Sequence, residues 1–347
     1  MRKNRKFPKQ MKAYLYCDKR SLNDATIYYV GIIKDCLTSL GYDYEICHSV
    51  FDIKKPDLIL TITERYFCVA KFRFPFVKTI YWAQGIGAEE AKLTSLGGWR
   101  STIRYYFRLF SENLAVNTST LLFCVSDRMK SFFKDKYGYK DNGNCIIMPC
   151  YNLGISSDFD LKQYENPTFV YAGGSSVWQG VDFMLEVFFK TQKEIPESRL
   201  IILTGEKEIF QEKINSIGIK NFEIKYVPVD KLQEELHKYK YGFIIRDGHI
   251  VNEVATPTKM NSYLANYLIP IFSDAVDDFK KNIRLGDFSL MAQIPLSSDV
   301  ISRRIIDFEK ASHDYSIYEG IVNKIFDTHY NDNHYKMMIK SKIKAII

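Results

Sequence analysis

The 347-residue chain lacks any run of about 18 apolar residues, so no segment of it is expected to cross a bilayer as a helix. The apolar stretch after its basic start, Ala13 to Cys17, ends at Asp18 and is too short for the core of a signal peptide. Its cysteines, Cys17, Cys36, Cys47, Cys68, Cys124, Cys145 and Cys150, are odd in number, form no C-x-x-C pair and sit mostly in apolar runs. That argues against a disulfide frame and for reduced, buried thiols in the cytosol. No Gly-Lys-Ser/Thr occurs, which removes a Walker loop, and Gly85-Ile86-Gly87-Ala88-Glu89-Glu90 lacks the third glycine of a dinucleotide fingerprint. The histidines, His48, His237, His249, His313, His329 and His334, show no spacing with cysteine or acid that would hold zinc. Acid is missing from residues 1–12, which contain Arg2, Lys3, Arg5, Lys6, Lys9 and Lys12. Those residues account for most of the net charge of +7, and the nearly neutral remainder argues against a nucleic-acid groove. The basic tail is either a solvated arm or a contact to an anionic surface.

What is present is a chain 46% hydrophobic and long enough for two cores. Short β-branched or aromatic runs alternate with amphipathic stretches, the pattern of βαβ units and a mostly parallel sheet. In the first half the expected strands are 13–17, 44–48, 58–63, 78–83, 121–126 and 145–148, with helices at 24–40 and 99–115. Residues 149–167 lose periodicity and read as a linker. A second series follows at 168–172, 199–204, 222–227, 241–246 and 269–273. The expected fold class is α/β, with two Rossmann-like doubly wound domains facing a central cleft: residues 1–152, then 165–325, with 326–347 as a C-terminal helix that packs back across the domains. Ligands of such sheets bind at the carboxyl ends of strands, so function is sought in those loops.

One such loop is Gly173-Gly174-Ser175-Ser176-Val177-Trp178-Gln179-Gly180, leading from a strand into a helix that starts at Val181. Glycines there let a phosphate approach the backbone and the free N–H groups of the helix start attract an anion; the same residues also suit a ligand-free tight turn. A second follows strand 241–246: Arg246, Asp247, His249, Asn252, Glu253, then Thr256-Pro257-Thr258-Lys259-Met260-Asn261-Ser262-Tyr263. Pro257 near a helix start, with Thr256 as its cap, puts Thr258 and Lys259 in the first turn. A lysine there opposes the helix dipole, a cost that a bound diphosphate would offset, although a solvated surface lysine fits the pattern too. Arg246 at a strand end can grip phosphate oxygens bidentately. Asp158-Phe159-Asp160 matches a D-x-D metal motif, but it sits in the linker and not at the end of an apolar strand.

Tyr171-Ala-Gly-Gly, Trp178-Gln179-Gly180, Arg246, Pro257-Thr258-Lys259, Tyr263-Leu264-Ala265 and Pro270-Ile271 together resemble the donor half of GT-B glycosyltransferases of family 4. Tyr81-Trp82-Ala83-Gln84-Gly85 with Glu89-Glu90, and Val125-Ser126-Asp127-Arg128-Met129, resemble their acceptor half. The resemblance implies a nucleotide-sugar donor as substrate, no cofactor and no metal, a retaining outcome, and basic side chains that stabilise the departing diphosphate. Arg246 and Lys259 take the catalytic role, and Asp18, at the end of the first strand, joins them as the catalytic candidate that contacts the acceptor. Gly173, Gly174, Ser175, Gln179, Gly180, Glu253, Pro257, Thr258 and Ser262 surround the donor, while Gln84, Gly85 and Glu89 lie on the acceptor side. Two positions depart from the family: Gln179 stands where a lysine is usual, and Ser262 replaces the glutamate that holds the donor ribose. Either the ribose is held by another group such as Glu253, or the chain is a non-catalytic subunit of the same fold that binds a glycan or a partner protein. A sugar-nucleotide epimerase is the third reading.

From Trp99 to Phe110 arginines recur every four residues among aromatics, with no acid before Glu112. That stripe suits a bilayer interface or a lipid diphosphate acceptor, or else packs in ion pairs. The run Tyr335–Ile347 has similar character and suits anchoring or a terminal helix packed on the body. The expectation is therefore a cytoplasmic glycosyltransferase of cell-surface polysaccharide synthesis. It would transfer to a glycan or lipid-linked acceptor, with peripheral contact to anionic membrane at the inner face of the plasma membrane.

Overall fold

The computed structural model describes residues 10–22, 24–95 and 97–346. The basic tail, apart from Lys12, lies outside the described residues. Two compact units are present: residues 1–149 with 332–347, and residues 150–331.

The first unit holds a six-stranded sheet of β1 (Met11–Tyr16), β2 (Tyr42–Cys47), β3 (Leu58–Thr61), β4 (Lys78–Ala83), β5 (Leu121–Cys124) and β6 (Cys145–Ile147). All its pairings are parallel and the order is β2-β1-β3-β4-β5-β6. The second unit holds β7 (Thr168–Ala172), β8 (Arg199–Leu203), β9 (Phe222–Lys225), β10 (Tyr241–Ile244), β11 (Ile269–Ser273) and β12 (Leu290–Ala292). These are again parallel, in the order β12-β11-β10-β7-β8-β9. Both are doubly wound α/β sheets, and the connection reverses direction between β1 and β3 in one and between β7 and β10 in the other. β3, β5, β10 and β11 are buried along their whole length. A sheet covered on both faces needs such continuous apolar runs rather than an alternating pattern.

Several boundaries differ from the sequence expectation. The strands expected to run to Thr63, Ser126 and Arg246 stop at Thr61, Cys124 and Ile244, because the next residues turn into helix caps and loops. β12 was not anticipated; three residues between polar neighbours carry no period of their own. Thr256 does not cap the helix Thr258–Ala265: Pro257 is its N-cap residue, and the Thr256 hydroxyl accepts the Cys150 N–H at 2.9 Å instead. The terminal helix Asp332–Ile346 buries Tyr335, Ile339 and Ile343 within the first unit. It is tied to the helix Asp24–Ser39 by Tyr28 Oη donating to Asp332 at 3.1 Å and by a Lys336–Asp35 ion pair at 3.2 Å.

Candidate functional site

β7 and β10 pair only at Tyr241 with Phe169 and Gly242 with Val170, then part. Tyr263 fills the gap. Its hydroxyl donates to the Phe243 carbonyl at 3.2 Å and accepts the Ala172 N–H at 3.2 Å, linking the diverging strands. Gly242 makes room for that ring, since a Cβ there would stand 2.5 Å from it. The strand ends therefore open at the point where the winding reverses, the usual place for a ligand in such a sheet.

Four side chains converge on this opening. Gln179 Oε1 accepts from Lys259 Nζ at 2.6 Å and from Arg246 Nη2 at 3.3 Å. Lys259 Nζ also lies 3.3 Å from Tyr171 Oη and 4.5 Å from the centre of its ring. Arg246, two residues beyond β10, is 6% exposed. Ser273 fixes its backbone by accepting the Arg246 N–H at 3.0 Å and donating to its carbonyl at 2.5 Å. Its Nη1 donates to Asn252 at 3.0 Å, and its buried Nε has no partner. Among the described residues neither cation has a carboxylate within ion-pair distance. Burial pushes Arg246 down to about 10, with Tyr171 and Asp247 opposing that fall. Lys259 retains some surface but is densely surrounded; burial holds it well below an ordinary lysine, and the charge of Arg246 lowers it further. Two desolvated cations that share one neutral oxygen leave an excess of positive charge, which an anion would relieve.

The glycine loop is shaped around these groups. Gly180 has φ +61° and sits so close to the Ile245 carbonyl that a Cβ would lie 2.7 Å from it. A Cβ on Gly173 would lie 2.7 Å from Lys259 Nζ. The helices Val181–Glu194 and Thr258–Ala265 start without a side-chain cap, and Thr258 and Lys259 form the first turn of the second. Ser175 has another partner: its N–H and hydroxyl donate to Glu206 Oε2 at 2.8 and 2.5 Å. Glu206 was not singled out from sequence, because a glutamate after a strand is an ordinary helix-start residue. Those two hydrogen bonds, the hydroxyl first, hold its carboxyl below the usual range.

Of the remaining donor-side residues, Glu253 closes a short helical turn, Ile250–Glu253, and Pro257 precedes Thr258. Ser262 donates to the Thr258 carbonyl and to Asn152, both at 3.1 Å. Asp160 of the D-x-D match caps the turn Leu161–Tyr164 by accepting the Lys162 N–H at 3.0 Å.

In the first unit Asp18 lies past the end of β1, accepts the Arg20 N–H at 2.8 Å and receives the Tyr66 hydroxyl at 3.4 Å. Gln84 and Gly85, past the end of β4, line a pocket of about 250 Å³ with Thr63, Glu64, Glu90 and Arg108. Glu89 turns to Lys136 at 2.6 Å and does not line it. The arginines of the helix Trp99–Thr118 divide. Arg100 and Arg104 are exposed, whereas Arg108 turns inward to the Gly87 carbonyl at 2.9 Å and to Glu64 at 3.8 Å.

No family model and no curated protein matches the sequence. The fold is similar to that of sucrose-phosphate synthase from Thermosynechococcus elongatus, with TM-score 0.70 and 11% identity over 97% of this chain and 99% of that one. It is similar to Anabaena HepE in complex with UDP and glucose, with TM-score 0.68 and 13% identity over 96% and 100% of the two chains. A mutant of S. aureus TarM, in complex with UDP among other ligands, gives TM-score 0.58 and 11% identity over 83% of this chain. The present chain spans about half of TarM, 55% of its length. Two parallel six-stranded sheets with these neighbours have the GT-B fold.

Proposed function

We propose that the chain is a glycosyltransferase that takes its sugar from a nucleotide-sugar donor, with the diphosphate bound at the opening between β7 and β10. The observation that carries this reading is the pair of desolvated cations, Arg246 and Lys259, meeting on the neutral Gln179 Oε1. A diphosphate supplies the missing negative charge, and the cations stabilise the charge that builds on it as the glycosidic bond breaks. They serve the role that a metal ion serves elsewhere, so transfer is expected to persist in chelator. A subunit that binds no nucleotide would retain the burial cost of both cations with nothing to offset it. Retention of configuration, a glycan or lipid-linked acceptor in cell-surface polysaccharide synthesis, and a cytoplasmic site of action complete the proposal.

Peripheral membrane contact is assigned to the helix Trp99–Thr118. Trp99, Ile103, Tyr106, Phe107 and Phe110 recur on one face and all are exposed, Trp99 by 70%. Arg100 and Arg104 flank them, and Arg100 lies 5.3 Å from the Trp99 ring. An apolar face turned outward beside exposed arginines suits an anionic bilayer.

Calorimetry with UDP, GDP and dTDP tests the donor site. At least one diphosphate should bind in the micromolar to millimolar range, and Lys259→Ala and Arg246→Ala should each weaken it about tenfold or more, the worth of a charge-assisted hydrogen bond. Unchanged affinity in both folded variants would remove the assignment.

A further inference from the structure

Ser175 has spent both of its polar hydrogens. Its N–H and its hydroxyl donate to Glu206 Oε2 at 2.8 and 2.5 Å, so Oγ has only lone pairs left to offer a ligand. Glu206 is the N-cap residue of the helix Lys207–Ile217, where an acid ordinarily faces the free N–H groups of its own helix. Its side chain makes no such bond and crosses to the loop after β7 instead. Its own N–H donates to Thr204 Oγ1 at 3.1 Å, which fixes the turn it springs from. Among the described residues Glu206 Oε1 accepts no hydrogen bond, and no cation lies within ion-pair distance of the carboxylate. The Ser175 hydroxyl, and then its N–H, hold the acid below the usual range, so it stays ionised.

This anion borders the opening between β7 and β10. A Cβ on Gly173 would stand 2.7 Å from Lys259 Nζ and one on Gly174 2.7 Å from Glu206 Oε1, so cation and acid flank consecutive residues of one loop. Tyr171 reaches both: its hydroxyl donates to the Gly174 carbonyl at 2.6 Å and lies 3.3 Å from Lys259 Nζ. The loop therefore offers two chemistries. Beside Lys259 and Arg246 it lacks negative charge, whereas beside Ser175 it presents Oγ and Glu206 Oε1, which only accept. A phosphate is repelled there, and an ammonium would enter next to two cations already in excess. A hydroxyl donates to either oxygen and brings no charge. We propose that Glu206 and Ser175 determine specificity by receiving hydroxyls of the donor molecule, so that Ser175 meets a sugar part of the ligand and not its phosphates. The proposal rests on the diphosphate reading of Arg246 and Lys259. Hydroxyls flank that diphosphate on both sides, on the ribose and on the transferred sugar, and the test separates the two sources.

Calorimetry on the full chain uses UDP, GDP, their 2′-deoxy forms, UDP-glucose and GDP-mannose. It compares the unaltered chain with Glu206→Gln, which still accepts from Ser175 but puts an NH2 donor in place of Oε1. At least one ligand should lose affinity about tenfold or more, because the variant presents a donor to a hydroxyl that needs an acceptor. Loss confined to a nucleotide sugar assigns the transferred sugar. Loss shared by a diphosphate and its nucleotide sugar, but not by the 2′-deoxy form, assigns the ribose. Ser175→Ala should show the same selectivity and decides if Glu206→Gln fails to fold. Equal losses on every ligand, the 2′-deoxy forms included, would make Glu206 a brace of the loop; that result, like no loss at all, overturns the proposal and leaves the diphosphate site standing. An unaltered chain that binds no nucleotide defeats the diphosphate site and this proposal with it.

Discussion

Gln179 Oε1 stands between Lys259 Nζ at 2.6 Å and Arg246 Nη2 at 3.3 Å, one neutral acceptor for the buried Arg246 and the half-buried Lys259. Changing Gln179 to Glu puts a full counter-charge at that point. The folded state should gain, because each cation acquires the partner it lacks, and the melting temperature is expected to rise by a few degrees. Nucleoside diphosphate affinity should fall at least tenfold, since the new carboxylate occupies the place of the ligand's charge. Thermal melts and calorimetry on one preparation check both signs; gains in stability and in affinity together would contradict the arrangement.

Lys259 gives the site a pH dependence. Its pKa in the free protein is depressed below that of the unfolded chain, so between those two values the unfolded state binds the extra proton and stability rises with pH. A bound diphosphate raises the pKa again. Binding should therefore take up protons in that window, and affinity should weaken as pH rises. Calorimetry in two buffers of different ionisation enthalpy measures the uptake directly. Lys259→Met should abolish it, and an equal uptake in that variant would assign the proton elsewhere.

Gly180 and Gly138 both adopt left-handed backbone, with φ +61° and +66°, but only Gly180 is crowded by a neighbouring backbone. Alanine at Gly138 should cost about 1–2 kcal/mol of strain and leave nucleotide affinity alone. Alanine at Gly180 carries the same strain and in addition pushes on the Ile245 carbonyl, next to Arg246. It should lose more stability than the Gly138 variant and also weaken the diphosphate. Urea titrations with binding on each variant separate the two; equal effects on binding would show that the close approach at Gly180 does not position Arg246.

Much of this was legible in the sequence because the runs that become β3, β4, β7 and β11 are short, apolar and bounded by turn residues, which is how a sheet covered on both sides must read. The glycine loop was legible because glycine suits a strand end that turns straight into a helix, and Lys259 because a lysine in the first helical turn opposes the dipole there. Partners were not. That Glu206 would reach Ser175, that Arg108 would turn away from Arg100 and Arg104, or that Glu89 would take Lys136 while Glu90 faced the pocket depends on side-chain contacts between elements remote in sequence. Glu89 and Glu90 are adjacent on a helix, about a hundred degrees apart, and no local pattern says which faces inward. The gap between β7 and β10 likewise depends on Tyr263, some ninety residues after Ala172.

The helix Trp99–Thr118 makes the remaining prediction. Its later turns bury Ser111, Glu112, Ala115 and Val116, whereas its first turns leave Trp99, Ile103, Tyr106, Phe107 and Phe110 exposed. Those aromatics contribute little to the folded core, so Trp99→Ser with Phe107→Ser should leave the melting temperature within a degree or two. Binding to vesicles containing phosphatidylglycerol should drop about tenfold or more, because each ring loses apolar surface that the bilayer would cover. Arg100→Gln with Arg104→Gln should instead weaken binding mainly at low salt and mainly to the anionic vesicles, as the screening of exposed charge requires. Cosedimentation with phosphatidylcholine vesicles, with and without phosphatidylglycerol, distinguishes the two effects. If neither pair of changes alters vesicle binding, the outward apolar face serves something other than lipid.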